Sequence, residues 1–323
     1  MTNGDRITCE IKGLSGGVLS VKVSYIQGTI GLQWSKVAHL ESNQLFLVQT
    51  EDGIIYNGTL SAVASSGEQP VRIRIAIQTE KTVEIPQSRL VKLDQSADRF
   101  WRRFNGTINT GVLYSKGNES TQYNISSLLE YKRDHWSGQA MFNSTFASSN
   151  GANVSTRNET DLSCMRFLRW NKWFYSGTGS FLQSSVQGIG LQTTLGGGIG
   201  RYLRNTNHTS LYILGGVGWQ NTQYETDTVI QGAQNNVVAL ISAELKAFSF
   251  KKTNLDVSVT VFPGISDPGR VRVSTEASYY IKLYGDLSWN VSFYGNWYNQ
   301  APVSLSGSDY GTSSGISWTF GNK

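Results

Sequence analysis

The residues of this chain that most readily carry chemistry are three histidines, two cysteines and many serines. Hydrolysis by a serine needs a hydroxyl, a base and an orienting group close together. His39 lies in the first hundred residues, while His135 and His208 lie in short polar segments between strand-like runs. Cys9 and Cys164 are far apart, form no disulfide framework and no metal-ligand spacing, and are expected to be two buried thiols. We therefore expect no catalytic residue, no metal and no cofactor.

Two further patterns resemble functional motifs only in isolation. The run LGGGIG at residues 195–200 suits a nucleotide-binding loop, but it lies inside an alternating run with no helical pattern after it, so a closely packed or bent strand is the better interpretation. Nine Asn-x-Ser/Thr triplets would suit a secreted, glycosylated β-sandwich. Several of them fall within alternating runs, and such a binding protein remains an alternative.

The composition indicates an all-β protein. The 323 residues include 34 Gly but only 5 Pro, and 11% are aromatic, which is typical of many short strands joined by turns. No window approaches the roughly 18 apolar residues of a transmembrane helix, but strands that alternate between two faces escape such a window. The beginning of the chain shows no charged and then apolar signal segment, so export requires a signal that this sequence does not include.

Alternating apolar and polar residues follow one another from residue 104 to the end of the chain. Residues 255–261 and 271–283 show the pattern most cleanly, and almost no helical periodicity interrupts it. An even number of such strands is expected of a closed single-chain barrel. We predict a transmembrane antiparallel β-barrel of about twelve strands over residues 104–323, with strand centres near 109, 126, 142, 164, 179, 196, 215, 243, 259, 277, 292 and 315.

The connections between these strands fall into two kinds that alternate along the chain. One kind is short, as at 132–136 and 284–286, and the other is mostly longer, as at 148–159, 224–236 and 299–311. Outer-membrane barrels have short periplasmic turns and longer external loops. The order predicts that both ends of the chain are periplasmic.

Aromatic and basic residues concentrate at the short turns. Residues 1–95 contain nine basic and nine acidic residues, so the whole net charge of +5 belongs to the later part of the chain. Aromatic side chains at headgroup depth and cations near lipid phosphates account for this charge without nucleic acid. The predicted membrane-interface girdle consists of Trp136, Trp170, Trp173, Tyr202, Phe250 and Tyr284.

The last strand resembles the closing signal of outer-membrane proteins, which the barrel assembly machinery reads. Tyr310, Ile316, Trp318 and Phe320 share one face of this strand, although three residues follow Phe320. We expect this machinery and outer-membrane lipid to be partners of the protein.

The barrel interior is expected to be narrow or plugged, because wide aqueous channels belong to barrels of about sixteen strands or more. Charged residues that alternation turns inward are expected either to line a narrow pore or to pair and seal it. These residues are Glu130, Arg272, Glu276 and Lys282.

Two similar units precede the barrel. Residues 1–46 and 47–95 each contain short alternating strands, and residues 34–40 match residues 87–93. Repeats of this size indicate a small SH3-like or Sm-like β module. We expect the module to be periplasmic and to bind a periplasmic partner, with residues 96–103 as the linker to the barrel.

Four segments together resemble the DUF481 family, often labelled salt-induced outer membrane proteins. They are NGDRITCEIKGL, GTIGLQWSKVAHLES, NTGVLYSKGNESTQYNISS and TTLGGGIGRYL. The resemblance implies a β-barrel of the Gram-negative envelope over about residues 105–320, with a periplasmic module in front of it. It brings no catalytic motif.

The expected function is that of an integral outer-membrane barrel, narrow or plugged. Its role would be envelope maintenance, a stress response, binding or small-solute passage. An outer-membrane enzyme of the lipid hydrolase type and the secreted β-sandwich are the alternatives.

Overall fold

The computed structural model describes residues 1–26, 28–62, 72–77, 82–95, 104–115, 120–133, 136–149, 153–168, 172–224, 231–249, 253–284, 286–300 and 307–320. These residues form an eight-stranded antiparallel sheet followed by a closed antiparallel barrel of twelve strands. Among them there is no helix long and apolar enough to cross a bilayer. The predicted linker, 96–103, lies outside the described residues.

The first part of the chain folds as one sheet with the strand order β3-β2-β1-β8-β4-β5-β6-β7. Two short 3-10 helices, Trp34–Lys36 and Gln87–Arg89, connect strands within it. The strands are β1 (Glu10–Ser15), β2 (Val18–Lys22), β3 (Thr29–Gln33), β4 (Ser42–Thr50), β5 (Ile55–Ala62), β6 (Arg72–Ile77), β7 (Thr82–Pro86) and β8 (Leu90–Gln95).

The two repeats meet at their matching segments. The indole Nε1 of Trp34 donates to the carbonyl of Gln87 over 3.1 Å, and the amide of Gln87 donates to the carbonyls of Trp34 and Val37 over 2.7 Å each. Each 3-10 helix thereby satisfies polar groups of the other.

The boundary predicted between the repeats, at residue 46, does not divide the sheet into two structural units. It falls inside β4, which pairs with both β5 and β8, and β8 also pairs with β1. Side chains from both halves, such as Leu14, Val48 and Leu93, belong to a single buried cluster. A unit of fewer than 50 residues buries too small a fraction of its surface to be stable alone, and one shared core solves this problem.

The second part of the chain closes into a barrel because its last strand pairs with its first, from Gly315 opposite Gly111 to Phe320 opposite Gly106. All twelve predicted strand centres fall within the observed strands. These are β9 (Phe104–Ser115), β10 (Ser120–Arg133), β11 (Trp136–Ser149), β12 (Asn153–Phe167), β13 (Trp173–Ser184), β14 (Ile189–Asn205), β15 (Thr209–Tyr224), β16 (Gln231–Ser249), β17 (Thr253–Pro263), β18 (Val271–Tyr284), β19 (Leu287–Tyr298) and β20 (Ser308–Phe320).

The outer wall of the barrel is apolar. Alternate residues along the strands leave large hydrophobic side chains exposed, among them Val217 at 60% and Ile241 at 57%, while Thr222 and Gln192 between such positions are buried inside. A soluble barrel would place the apolar residues inside and the polar ones outside. The inverted arrangement is that of a transmembrane β-barrel, whose outer face meets lipid.

One predicted long loop is mostly strand. Residues 148–159 were expected to form a loop, but β11 continues to Ser149 and β12 begins at Asn153. Polar Ser, Thr and Asn residues are compatible with a strand here because one face of the wall lines a polar interior. The difference in length between the two kinds of connection is therefore smaller at this position than predicted.

The module lies against the end of the barrel where the short turns are. The turn between β1 and β2 contains Gly16 and Gly17, both with positive φ, and a side chain added at either would lie 3.1–3.2 Å from Phe248 or His208 of the barrel. The amide of Asn205 donates to the backbone carbonyl of Glu51 over 3.3 Å. Glycine is thus required at this turn both for its conformation and for the close approach.

Candidate functional site

An ion-paired cluster crosses the barrel interior in the half nearer the long loops. Arg157 contacts Glu159 over 2.6 Å and Asp309 over 3.6 Å, and its guanidinium lies 4.6 Å from the centre of the Tyr294 ring. The hydroxyl of Ser184 donates to Asp309 over 2.8 Å. Strands β12, β13, β19 and β20 supply these residues, and only β12–β13 and β19–β20 are neighbours in the wall. The cluster therefore joins separate parts of the wall across the lumen.

Two more contacts cross the lumen beside this cluster. Arg272 of β18 donates a hydrogen bond to Gln192 of β14 and stacks on Phe262, with its guanidinium 3.9 Å from the ring centre. The amide of Asn143 on β11 donates to Glu276 on β18 over 3.3 Å. Both contacts fix long polar side chains across the opening.

Three carboxylates, those of Glu159, Asp161 and Glu276, lie within 4.8 Å of one another. Carboxylates at this spacing are the type of group that binds a divalent cation. Arg157 and Arg272, however, both act electrostatically on Asp161, so guanidinium groups already offset part of the negative charge of the cluster. We assign no metal to it.

A second polar group lies in the half nearer the short turns. Glu244 accepts a hydrogen bond from the hydroxyl of Tyr212 over 2.5 Å and pairs with Lys246 over 2.8 Å. Asp256 lies opposite Lys246 in the strand register. An aromatic cluster packs against this group, with ring centres 5.3–6.4 Å apart where they touch; its members are Phe167, Phe174, Tyr202 and Tyr212.

The glycine run at 195–200 gives space to this aromatic cluster. An atom added at Gly200 would collide with the Phe174 ring, and Gly198 approaches Gly216 on the next strand too closely for a side chain on either. The run is therefore part of a closely packed wall.

The described residues line three cavities that follow one another along the interior. One of about 240 Å3 near the long loops and one of about 160 Å3 in the middle share Thr145, Arg157 and Tyr294 as lining. A third, of about 280 Å3, shares Glu244 and Lys246 with the middle cavity and is also lined by residues of the module. Arg157 and Tyr294 thus lie between the upper and middle cavities.

The predicted lumen charges divide into two groups. Arg272 and Glu276 point inward and take part in the contacts across the lumen, and Glu130 lines the cavity next to the module. Lys282 is different: it is exposed near the short-turn end of β18 and lines neither that cavity nor the middle one. Lys282 lies at the same alternation in β18 as Arg272 and Glu276, but close to the end of the strand, and its assignment to the lumen stays a prediction.

Sequence reasoning missed Arg157, Glu159 and Asp309, which form the main cluster. All three lie in segments that the sequence analysis assigns to long loops, 148–159 and 299–311, where alternation between two faces is not expected. The signal was present, since Arg157, Glu159 and Asp161 occupy every second position of β12. Glu244, Lys246 and Asp256 also lie at inward positions and could have been found in the same way.

The structure places the predicted girdle residues in different environments. Trp136, Trp173 and Tyr284 are exposed on the outer wall at the short-turn end. Trp136 and Trp173 stack with Arg166 and Arg201, whose guanidinium groups lie 5.3 and 5.6 Å from the ring centres. Tyr202 is wrong as a girdle residue, because its ring belongs to the interior aromatic cluster. Trp170 and Phe250 lie outside the described residues.

The residues of the closing strand share its outer face. Tyr310, Ile316 and Trp318 are exposed, and Phe320 stacks near Trp318 with ring centres 5.5 Å apart and lies over Gly106 of the first strand. Recognition of these residues by assembly machinery stays a prediction.

The cysteines and described histidines lie away from the lumen. Cys9 is half-buried beside the module core, and burial raises the pKa of its thiol, which makes it a poor nucleophile. Cys164 is exposed on the outer wall, so the expectation that both thiols are buried is wrong. His39 and His208 are exposed, in the module and in a short turn respectively. His135 lies outside the described residues.

The closed wall with its apolar outer face defines a transmembrane β-barrel protein. Residues 108–320 match the family described as "Protein of unknown function, DUF481". Because the match spans more than half of the chain, the protein belongs to this family, and the resemblance noted in the sequence is confirmed. No curated protein matches the chain.

Several solved structures are similar in shape. "NanC porin structure in rhombohedral crystal form" has a TM-score of 0.41 and 11% identity, covering 67% of this chain and 99% of that one. "CdiB from Acinetobacter baumannii" has a TM-score of 0.40 and 8% identity, covering 82% of this chain and 66% of that one. The "Translocator domain of autotransporter NalP from Neisseria meningitidis" has a TM-score of 0.37 and 11% identity, covering 67% of this chain and 86% of that one. The fold assignment rests on the closed strand ladder and not on these likenesses.

Proposed function

We propose that the protein is an outer-membrane β-barrel that provides a narrow polar passage for small ions and hydrophilic solutes, kept closed by Arg157. The observation that supports the proposal most is the position of Arg157 between two cavities, held by Glu159, Asp309 and Tyr294. The proposal gives the protein a role in envelope permeability and no catalytic step. Envelope maintenance under salt stress would be one use of such a passage.

The orientation in the membrane follows from the same proposal. We place the short turns and the module in the periplasm, because both ends of the barrel lie at the short-turn side and the module packs there. The module then covers the periplasmic mouth, and a solute entering from outside would meet Arg157 before it meets the module. A periplasmic partner acting on the module could control the lower exit.

The chemistry of the middle cavity favours cations. Its charged lining consists of four carboxylates and two basic side chains, and the basic ones are each paired with a carboxylate: Arg157 with Glu159 and Lys246 with Glu244. Asp256 and Glu276 remain without an ion pair of this kind among the described residues. Surplus acidic groups along a passage favour cations.

Flux through proteoliposomes tests the proposed passage. We expect the wild-type protein to release potassium slowly, but faster than protein-free liposomes do, and to retain a disaccharide. Arg157→Ala should raise potassium release on the order of tenfold, as lowering a barrier by about 1.4 kcal/mol would do.

Arg166→Ala is the matched control for this assay. Arg166 lies on the same strand as Arg157 but is exposed on the outer wall, so its loss should leave the flux unchanged. Equal fluxes from wild type, Arg157→Ala and protein-free liposomes would refute a passage through the lumen.

A further inference from the structure

The outer wall of the barrel contains a groove that is separate from the lumen. It has a volume of about 490 Å3, within the range of small-molecule sites, and lies between β13 and β17 toward the short-turn end. Its sides are outward-facing aliphatic residues, Ile199, Ile213, Ile241, Val259 and Val261.

The depth of the groove comes from small residues in the same rows. Gly215 and Ala243 face outward between the larger side chains, and a Cβ added at Gly215 would have no heavy atom within 4 Å. Because these small residues lie between large ones, they leave a groove in an outer wall that side chains cover elsewhere. The open space is therefore encoded by the choice of residues at outward positions.

A basic and aromatic pair closes the groove at the short-turn end. Arg201 and Trp173 both line it and lie opposite each other in the strand register. The guanidinium of Arg201 lies 5.6 Å from the centre of the indole ring. Within the part of the chain that the structure describes, no carboxylate pairs with Arg201, so its donors are available to an anion.

We infer that this groove binds one anionic glycerophospholipid, with an acyl chain between the aliphatic residues and the phosphate on Arg201. The groove opens on the lipid-facing wall, so the membrane itself supplies the occupant. A guanidinium matches phosphate with two parallel hydrogen bonds, and Trp173 lies at the depth where aromatic rings favour the headgroup region. The inference rests on the membrane-spanning fold and not on passage through the lumen.

Native mass spectrometry of the folded full chain in detergent tests this site. Phosphatidylglycerol and phosphatidylcholine with identical acyl chains are titrated in parallel. We expect one phosphatidylglycerol to be retained about tenfold more tightly than phosphatidylcholine, the difference that one charged hydrogen-bonded contact supplies. Arg201→Gln should remove this preference.

Arg166→Gln is the control for charge. Arg166 is also exposed on the outer wall and also stacks on a tryptophan, Trp136, but does not line the groove. Its replacement should leave the preference intact. If both variants reduced retention equally, attraction by the general positive charge of the girdle would replace the proposed site.

Gly215→Leu tests the acyl chain, because the new side chain would fill the groove. We expect it to weaken retention of both lipids, while Gly177→Leu, at another outward glycine with open space around it and outside the groove, should not. Ile241→Phe provides a second way of filling the groove if Gly215→Leu does not fold. Unchanged retention in a folded groove-filling variant, or displacement of the lipid by detergent alone with no headgroup preference, would overturn the inference.

Discussion

Replacing Arg157 by Met is expected to destabilise the folded barrel by about 3–5 kcal/mol, the cost of leaving a buried charge without its partner. Glu159 and Asp309 are 6% and 5% exposed, and both lose their guanidinium in this variant. Methionine keeps much of the length of the side chain, so the loss is mainly electrostatic. Denaturant unfolding in detergent micelles, followed by tryptophan fluorescence, measures the change in the free energy of unfolding.

A double-mutant cycle separates the ion pair from the packing. Adding Glu159→Met to Arg157→Met should recover part of the lost stability, because one uncompensated carboxylate is removed. Arg166→Met, on the outer face of the same strand, should change stability by no more than about 0.5 kcal/mol. If the double variant were less stable than Arg157→Met by the full cost of a second substitution, the two neighbouring residues of β12 would not be coupled.

Replacing Val217 by Arg is expected to cost about 2–4 kcal/mol of folding free energy in lipid, the range for a cation at the bilayer midplane on a barrel wall. Val217 is 60% exposed near the middle of β15. An arginine there would face hydrocarbon with no partner nearby. Folding into liposomes, measured by the fraction of protein that changes mobility on a gel after heating, detects the loss.

Leu283→Arg is the control for depth. Leu283 is similarly exposed, at 55%, but lies beside a short turn, where the cost falls to about 0–1 kcal/mol. Equal folding yields for the two arginine variants would contradict a membrane-embedded outer wall.

The strands and the closed wall could be predicted because alternation is a local property of the sequence. Each apolar residue at every second position reports which face meets lipid, and residues 255–261 show this without any knowledge of their neighbours. The number of strands then follows by counting. The shared sheet of the module could not be predicted in the same way, since β4 belongs to both repeats only through pairing with β5 and β8, which are distant in the sequence.

The interior contacts were harder to predict for two different reasons. Arg157 and Glu159 were hidden by a loop assignment, because a polar lumen makes a strand as rich in Ser and Asn as a loop is. Tyr202 lies next to a short turn, and the prediction assigns it to the membrane interface for that reason. Alternation along β14 instead gives it the same inward face as the glycines before it, and the strand register becomes irregular only after residue 202. The pairing of inward charges across the lumen depends on how the barrel closes, and a local sequence pattern carries no information about closure.

Single-channel conductance in planar bilayers tests the central claim, a membrane barrel closed by its own side chains, most directly. The wild-type protein should give a small, cation-selective conductance, far below that of an open sixteen-stranded porin. Arg157→Ala should increase this conductance on the order of tenfold, and Arg166→Ala should not change it. A large, steady wild-type conductance that Arg157→Ala leaves unaltered would contradict the account.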